Sequence, residues 1–315
     1  MAFPGTGKIW TNGKLVDWKD ATIHIASHVI HYGTGVFEGA RCYKTPRGSA
    51  CFRLDAHMRR LQHSMKIYRM EYALDLQGWM DAVLETIRAN EMKACYIRPI
   101  VYRGYDSLGV TPFSCPVDAA IILWEWGTML GQEALEQGVD AKIATWNRMA
   151  PNTLPAMAKS SANYANSGLI KMEAILDGYA EGIALDVEGH VSEGSGQNLF
   201  VVRDGALYTS PLGDSVLAGI TRDSIITLAR DLGVSVTETT IPRESLYIAD
   251  EVFFVGTAAE VTPVRSIDKI TIGSGRRGPV TERLQRAFFD VINGVTPDRH
   301  NWLTYVYANE PAYAR

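Results

Sequence analysis

Ala150-Pro-Asn-Thr-Leu-Pro-Ala-Met-Ala-Lys159-Ser-Ser-Ala-Asn-Tyr164 sets one lysine among small, neutral residues, and no other charge occurs from Met149 to Ile170. A surface lysine normally has charged neighbours and solvent. One held among Ala, Met, Ser and Pro points to an amine kept partly dry. Desolvation disfavours the ammonium form and lowers its pKa from about 10.4, which leaves a nucleophilic neutral amine near neutral pH. Schiff-base chemistry with a carbonyl compound requires such an amine. A loop lysine between two prolines and a helix is the plainer reading of this stretch alone, so the flanking chain must decide.

Downstream, the spacing predicts a helix from about Asn163 to Asp177 with Leu169, Met172 and Leu176 inward. Ile183 to Val187 and Val191 to Val202 read as a hairpin turned at Glu188-Gly189. Within it Glu193 lies in Ser-Glu-Gly-Ser-Gly, where small neighbours give a carboxylate room to approach a ligand. An exposed strand-end carboxylate is the alternative. Leu217-Ala-Gly-Ile-Thr-Arg runs from a glycine turn into an amphipathic helix. The N–H groups of Ile220 and Thr221, with the Thr221 hydroxyl, then form an anion site at a helix N-terminus. The strand Glu251 to Val255 ends in Gly256-Thr257-Ala258, a second small-residue segment able to offer N–H groups to an anion.

Upstream, Asn12-Gly13 predicts a two-residue turn between short strands, and Ala21 to Ala26 alternates like a strand. Gly33, Gly35 and Gly39 lie beside Tyr32 and Phe37, so backbone can approach a ligand that aromatics wall. Their spacing does not match a dinucleotide fingerprint, and Gly7-Lys8 lacks the rest of a phosphate loop. Asp55 reads as the cap of a helix with the stripe Met58, Leu61, Met65 and Tyr68, beside which lie Arg59 and Arg60. One of these two arginines can turn inward toward an anion. A second helix spans about Gln77 to Asn90. On the strand Ala94 to Tyr102, two-residue periodicity puts Tyr96, Arg98 and Tyr102 on one face, where the arginine serves as an ion-pair partner or a carboxylate clamp. Asp118 to Trp126 reads as a strand with Trp124 and Trp126 on the same face. The pattern breaks at Gly127, which gives a small α/β domain over 1–126, an interdomain loop over 127–134 and a large α/β domain over 135–315.

With 315 residues, 46% hydrophobic, 21% charged and a formal net charge of -4, the chain is globular and has no general attraction for nucleic acid or anionic lipid. Four cysteines without a CxxC pair read as free thiols of a reducing compartment. The start resembles no signal peptide and no apolar run approaches membrane length, so a cytoplasmic location is expected. His24, His28 and His31 have no Cys, Asp or Glu to complete a metal site, and none is expected.

A dry lysine, a carboxylate, a phenol, an arginine and two anion cradles together match the needs of pyridoxal phosphate. The chain resembles the branched-chain amino acid aminotransferases of fold type IV from about Ile9 to Leu303. The motifs that carry the resemblance are His31 to Tyr43, Tyr96-Ile-Arg-Pro99, Asn147 to Tyr164, Glu181 to Val187, Ser192 to Phe200, Pro211 to Asp223 and Gly256 to Val264. It implies a mixed α/β, two-domain enzyme. Lys159 would form the Schiff base and move the proton, Glu193 would pair with the pyridine nitrogen, and Tyr164 would bond the ring oxygen. Arg60, Leu217, Gly219, Ile220, Thr221, Gly256 and Thr257 would bind the cofactor, mainly its phosphate. Tyr32, Phe37, Gly39, Val110, Trp126 and Met129 would shape the substrate pocket, with Thr257, Ala258 and Tyr96 at the α-carboxylate and Arg98 at the distal carboxylate of glutamate. L-Leucine, L-isoleucine or L-valine would exchange its amino group with 2-oxoglutarate by a ping-pong cycle. The loop from Tyr105 to Val110 would reach a neighbouring subunit, which implies a homodimer at minimum and a homohexamer as the expected assembly.

Met129, Ser160-Ser161 and the loop Arg103 to Gly109 depart from the family pattern, which bears on pocket shape and leaves room for aromatic substrates. An aminodeoxychorismate lyase or a D-amino acid aminotransferase would share Lys159 and Glu193. The Tyr32 to Arg41 and Tyr96-x-Arg98 motifs favour the branched-chain group over both. A cofactor-free aldolase would leave the two cradles unexplained.

Overall fold

The computed structural model describes residues 5–127 and 132–307. The chain divides into two compact units. The first runs to Trp126 and takes in Ala158–Ala162 and the stretch from Asp290. The second comprises the intervening residues up to Met157 and Asn163–Phe289.

In the first unit, strands β1 (Lys8–Thr11) and β2 (Lys14–Asp17) close over Asn12 and Gly13, whose φ values of 47° and 85° suit a mirror-image hairpin turn. The short helix α1 (His28–Tyr32) leads into β3 (Gly35–Phe37), β4 (Ala40–Thr45) and β5 (Gly48–Phe52). Helices α2 (Leu54–Ile67) and α3 (Leu76–Ala89) follow, then β6 (Cys95–Arg103) and β7 (Val117–Trp124). The sheet order is Leu303–Tyr305, β5, β4, β6, β7, β1, β2, with β3 paired to β6. Met58, Leu61 and Met65 of α2 are buried against it, as their spacing predicts; of the inward set Met80, Val83, Leu84 and Ile87 expected for the second helix, the last three are buried in α3, whereas Met80 is half-buried and Trp79 is buried beside it.

Three expectations for this unit are corrected. Residues 21–26 form no strand, because no neighbouring strand takes up their backbone groups. Asp55 lies inside the first turn of α2, whose cap is Arg53 in a left-handed conformation. Trp126 lies beyond the end of β7, though its ring remains 5.7 Å from that of Trp124.

The second unit holds helix α4 (Gln132–Gln137), β8 (Val139–Ile143), α5 (Ser161–Leu176), β9 (Glu181–Leu185), β10 (Val191–Gly194), β11 (Asn198–Arg203), β12 (Ala206–Thr209), α6 (Ile220–Asp231), β13 (Val236–Glu238), β14 (Glu251–Gly256), β15 (Glu260–Ile267) and α7 (Pro279–Ile292). Its sheet runs β10, β9, β8, β15, β14, β11, β12, β13. The expected strand Val191 to Val202 is interrupted at residues 195–197, which separates β10 from β11. The inward face of α5 is also corrected. Asn163, Ser167, Ile170 and Ala174 are buried, whereas Leu169, Met172 and Leu176 are 36%, 54% and 85% exposed. Small and polar side chains at helical spacing allow this helix to pack closely, and its larger apolar residues face outward.

Candidate active site

In the first unit, Lys159 lies on a loop stitched to β3 and α2. Its N–H donates to Ser64 Oγ at 3.0 Å, and its carbonyl accepts from the Phe37 N–H at 2.9 Å. Next to it, Ser160 is buried, forms a bridge with Val36 and shares a 2.8 Å hydrogen bond with Tyr68 Oη. A Cβ on Gly35 would stand 2.9 Å from Ser161 Oγ and 3.0 Å from Val29 Cγ2, so one of these side chains would have to shift. Lys159 itself is half-buried. Its Nζ stands 5.1 Å from the centroid of the Phe37 ring.

Arg98 reaches the same ring, with Cζ 4.7 Å from the Phe37 centroid and 5.5 Å from those of Tyr96 and Trp124. Its Nε is buried with no hydrogen-bond partner among the described residues. The guanidinium is therefore caged by aromatic rings, an arrangement favourable for a cation. Tyr96 packs on Trp124 and Trp126 at 4.8 and 4.6 Å, and Arg41 Nη2 donates to the Trp126 carbonyl at 2.6 Å. Gly39 is where the sheet admits the Tyr96 hydroxyl, since a Cβ at that position would overlap it. Lys159, Phe37, Arg98, Tyr96, Gly39 and Trp126 are thus brought together. Tyr32 donates to the Leu108 carbonyl at 3.2 Å, while Val110 on the same loop is 84% exposed. Met129 lies outside the described residues.

Arg60 is gripped by a residue that sequence reasoning missed. Glu38 Oε1 accepts from Arg60 Nε at 2.6 Å and Oε2 accepts from Nη2 at 2.9 Å. Glu38 Oε2 also accepts from His57 Nδ1 at 2.7 Å. Burial would raise the Glu38 carboxyl, but Arg60 and His57 outweigh it and hold that group well below the usual carboxylate range. Burial drives His57 below its ordinary 6.5 despite Glu38, so at neutral pH the imidazole donates as a neutral ring and the guanidinium carries the countercharge. A carboxylate between Phe37 and Gly39, two residues already singled out, is the signal that was available.

In the second unit, the pairing of β10 with β9 shifts register between Val191 and Glu193. Arg148 Nη2 lies 2.8 Å from Glu193 Oε1, and Asn198 Nδ2 and the Leu217 N–H donate to Oε2 at 3.0 and 3.1 Å. Arg148 and Asn198 were also missed, although Arg148 is the charge that closes the neutral run before Lys159. Helix α6 starts at Ile220 after Gly219 in extended conformation, with no side-chain cap, and Thr221 is buried. A Cβ on Gly219 would collide with Asn198 Oδ1, and one on Gly256 would sit 3.3 Å from Gln197 Cβ. Both glycine segments therefore close over consecutive residues, Gln197 and Asn198. Thr257 and Ala258 form the turn between β14 and β15. Tyr164 is half-buried in the first turns of α5.

A family model described as amino-transferase class IV matches residues 35–267. A branched-chain-amino-acid aminotransferase of Escherichia coli strain K12 is 52% identical over 299 residues, 95% of this chain and 97% of the relative. The crystal structure of an E. coli branched-chain amino acid aminotransferase superposes with a TM-score of 0.94 at 51% identity, covering 96% of this chain and 100% of that one. The crystal structure of a branched-chain amino acid aminotransferase from Thermobaculum terrenum in its PLP-form has a TM-score of 0.90 at 34% identity, covering 96% and 99%.

Proposed function

The chain belongs to the class IV aminotransferases, among the branched-chain-amino-acid enzymes, and from that premise we propose that with pyridoxal phosphate it moves the amino group of L-leucine, L-isoleucine or L-valine onto 2-oxoglutarate in a ping-pong cycle. The observation that carries this reading is the Phe37 ring, with Lys159 Nζ at 5.1 Å and Arg98 Cζ at 4.7 Å. An apolar wall beside an amine suits a branched side chain, and a guanidinium on the same wall suits the distal carboxylate of glutamate.

The donor set fits pyridoxal phosphate. In the second unit the uncapped N-terminus of α6 and the turn after β14 offer backbone N–H groups to an anion, and in the first unit Arg60 presents a guanidinium that is 11% exposed. When bound, the cofactor supplies a carbonyl carbon that takes up an amine and a cationic ring that accepts the electrons of the substrate Cα–H bond. Lys159 Nζ anchors the cofactor and carries the proton from and to the substrate α-carbon. Glu193, paired with Arg148, keeps a proton on the ring nitrogen, and Tyr164 orients the ring oxygen. Arg60, the Ile220, Thr221 and Thr257 N–H groups and the threonine hydroxyls hold the phosphate, with Leu217, Gly219 and Gly256 shaping the cradles. Tyr96 and the N–H groups of Thr257 and Ala258 receive the α-carboxylate. Tyr32, Phe37, Gly39 and Trp126 bound the side-chain pocket and limit water, and Val110 reaches the pocket of a neighbouring subunit.

We read the protein as a homodimer at minimum and as a hexamer in its full assembly. Leu108, Val110 and Phe113, at 49%, 84% and 66% exposed, support this reading, because such apolar groups favour a partner surface. Sedimentation velocity tests it.

The deciding experiment is the absorption spectrum of purified protein before and after L-leucine, without a 2-oxo acid. The near-visible cofactor band is expected to bleach and to return with 2-oxoglutarate. A band that ignores L-leucine would transfer the reading to a lyase or a D-amino acid aminotransferase.

A further inference from the structure

Three consecutive residues hold groups that this reading assigns to the cofactor and to the substrate. The Phe37 N–H holds the Lys159 carbonyl at 2.9 Å, Glu38 grips Arg60, and Gly39 makes room for Tyr96. The Glu38 N–H is itself fixed to the Pro99 carbonyl at 2.8 Å. We infer that Glu38 is the positioning residue for the phosphate-binding arginine: it clamps one edge of the Arg60 guanidinium and turns the opposite edge toward the 5'-phosphate.

An arginine has five N–H donors in a rigid planar fork. Glu38 engages the Nε–H and one N–H of Nη2 in a bidentate pair, which fixes the plane of the guanidinium as well as its location. The clamp is rigid because Glu38 is completely buried and is braced by His57 Nδ1 at 2.7 Å and the Gly39 N–H at 3.1 Å. Arg60 retains 11% exposure where Glu38 has none, so the outward edge of the pair is the guanidinium. Since Phe37 and Glu38 are neighbours on one extended stretch, the spacing between the lysine loop and the arginine is set by a single peptide unit. Glu38 thereby matches the site to a ligand with a carbonyl at one end and a phosphate at the other.

This inference rests on the assignment of Arg60 to the phosphate, and the test separates the two. Dissociation constants of pyridoxal phosphate and of pyridoxal, which lacks the phosphate, are measured by equilibrium dialysis with the full chain, Glu38→Gln, Arg60→Met and the double variant. The preference for the phosphorylated ligand is expected to fall about tenfold in Glu38→Gln, the scale on which outer partners affect the groups they orient. Pyridoxal binding is expected to stay within about twofold, and adding Glu38→Gln to Arg60→Met is expected to change the preference no further. An unchanged preference in Arg60→Met would overturn the phosphate assignment and this inference with it. A preference lowered by Arg60→Met but untouched by Glu38→Gln would overturn the positioning role alone. Equal weakening of both ligands would make Glu38 a purely structural residue. If Glu38→Gln does not fold, Glu38→Asp keeps the buried charge while shortening its reach, and the same loss of preference is expected.

Discussion

Arg148 Nη2 lies 2.8 Å from Glu193 Oε1, with the two side chains only 5% and 8% exposed. Asn198 and the Leu217 N–H occupy the other carboxylate oxygen. Removing one member of a buried pair leaves an uncompensated charge, which costs about 3–5 kcal/mol. Arg148→Met is therefore expected to lower the unfolding free energy in urea by that amount and to loosen the cofactor. Adding Glu193→Gln should recover part of the stability, a coupling that a double-mutant cycle measures.

Arg98 is caged by Phe37, Tyr96 and Trp124. A hydrogen bond to a charged group contributes about 1.5–3 kcal/mol, which corresponds to roughly 10- to 100-fold in an apparent constant. Arg98→Met is expected to raise KM for 2-oxoglutarate by that factor while leaving KM for L-leucine within about threefold. Equal increases for both substrates would remove Arg98 from the distal-carboxylate role.

A methyl group at position 39 has no room beside the Tyr96 hydroxyl. Gly39→Ala is expected to cost about 1–3 kcal/mol through overpacking and to raise KM for L-leucine. Tyr96→Phe in the same chain removes the colliding oxygen but leaves the ring carbon Cζ 2.9 Å from the new methyl, so thermal unfolding should show only part of the loss reversed.

His57 and Glu38 contribute to how stability responds to acid. Both pKa values are depressed in the folded state, from 6.5 for His57 and from 4.5 for Glu38. A depressed group contributes stability that is complete above its unfolded pKa and is lost as pH falls toward its folded value. Unfolding free energy is expected to be level above about pH 6.5, to decline below it as His57 takes up a proton on unfolding, and to decline more steeply below about 4.5. His57→Phe should make the upper limb shallower and Glu38→Gln the lower, where Asp140 and Glu173, also held below their ordinary range, keep part of the slope, in urea titrations across that range.

Local signals were readable wherever short-range physics settles the outcome. The Asn12-Gly13 turn, the stripe of α2 and the start of α6 at Ile220 all appear as their residues predict. The alternating residues 21–26 did not become a strand, because a strand needs a neighbour and periodicity cannot supply one. The face of α5 was misjudged because Leu169, Met172 and Leu176 also fit a helical stripe, whereas Asn163, Ser167 and Ala174 permit closer packing.

By itself the sequence met the needs of pyridoxal phosphate, through one lysine in a neutral run, two glycine segments able to bind an anion, and a carboxylate with small neighbours, while its resemblance to the branched-chain amino acid aminotransferases supplied the reaction. Only tertiary structure decided what holds those groups. Glu38 and Arg60 are 22 residues apart and meet because β3 runs beside α2, and Arg148 meets Glu193 within the second unit with no fixed spacing to announce it. Ion pairs form wherever folding removes two opposite charges from water at the same place. That place is set by strand pairing and helix packing rather than by separation along the chain.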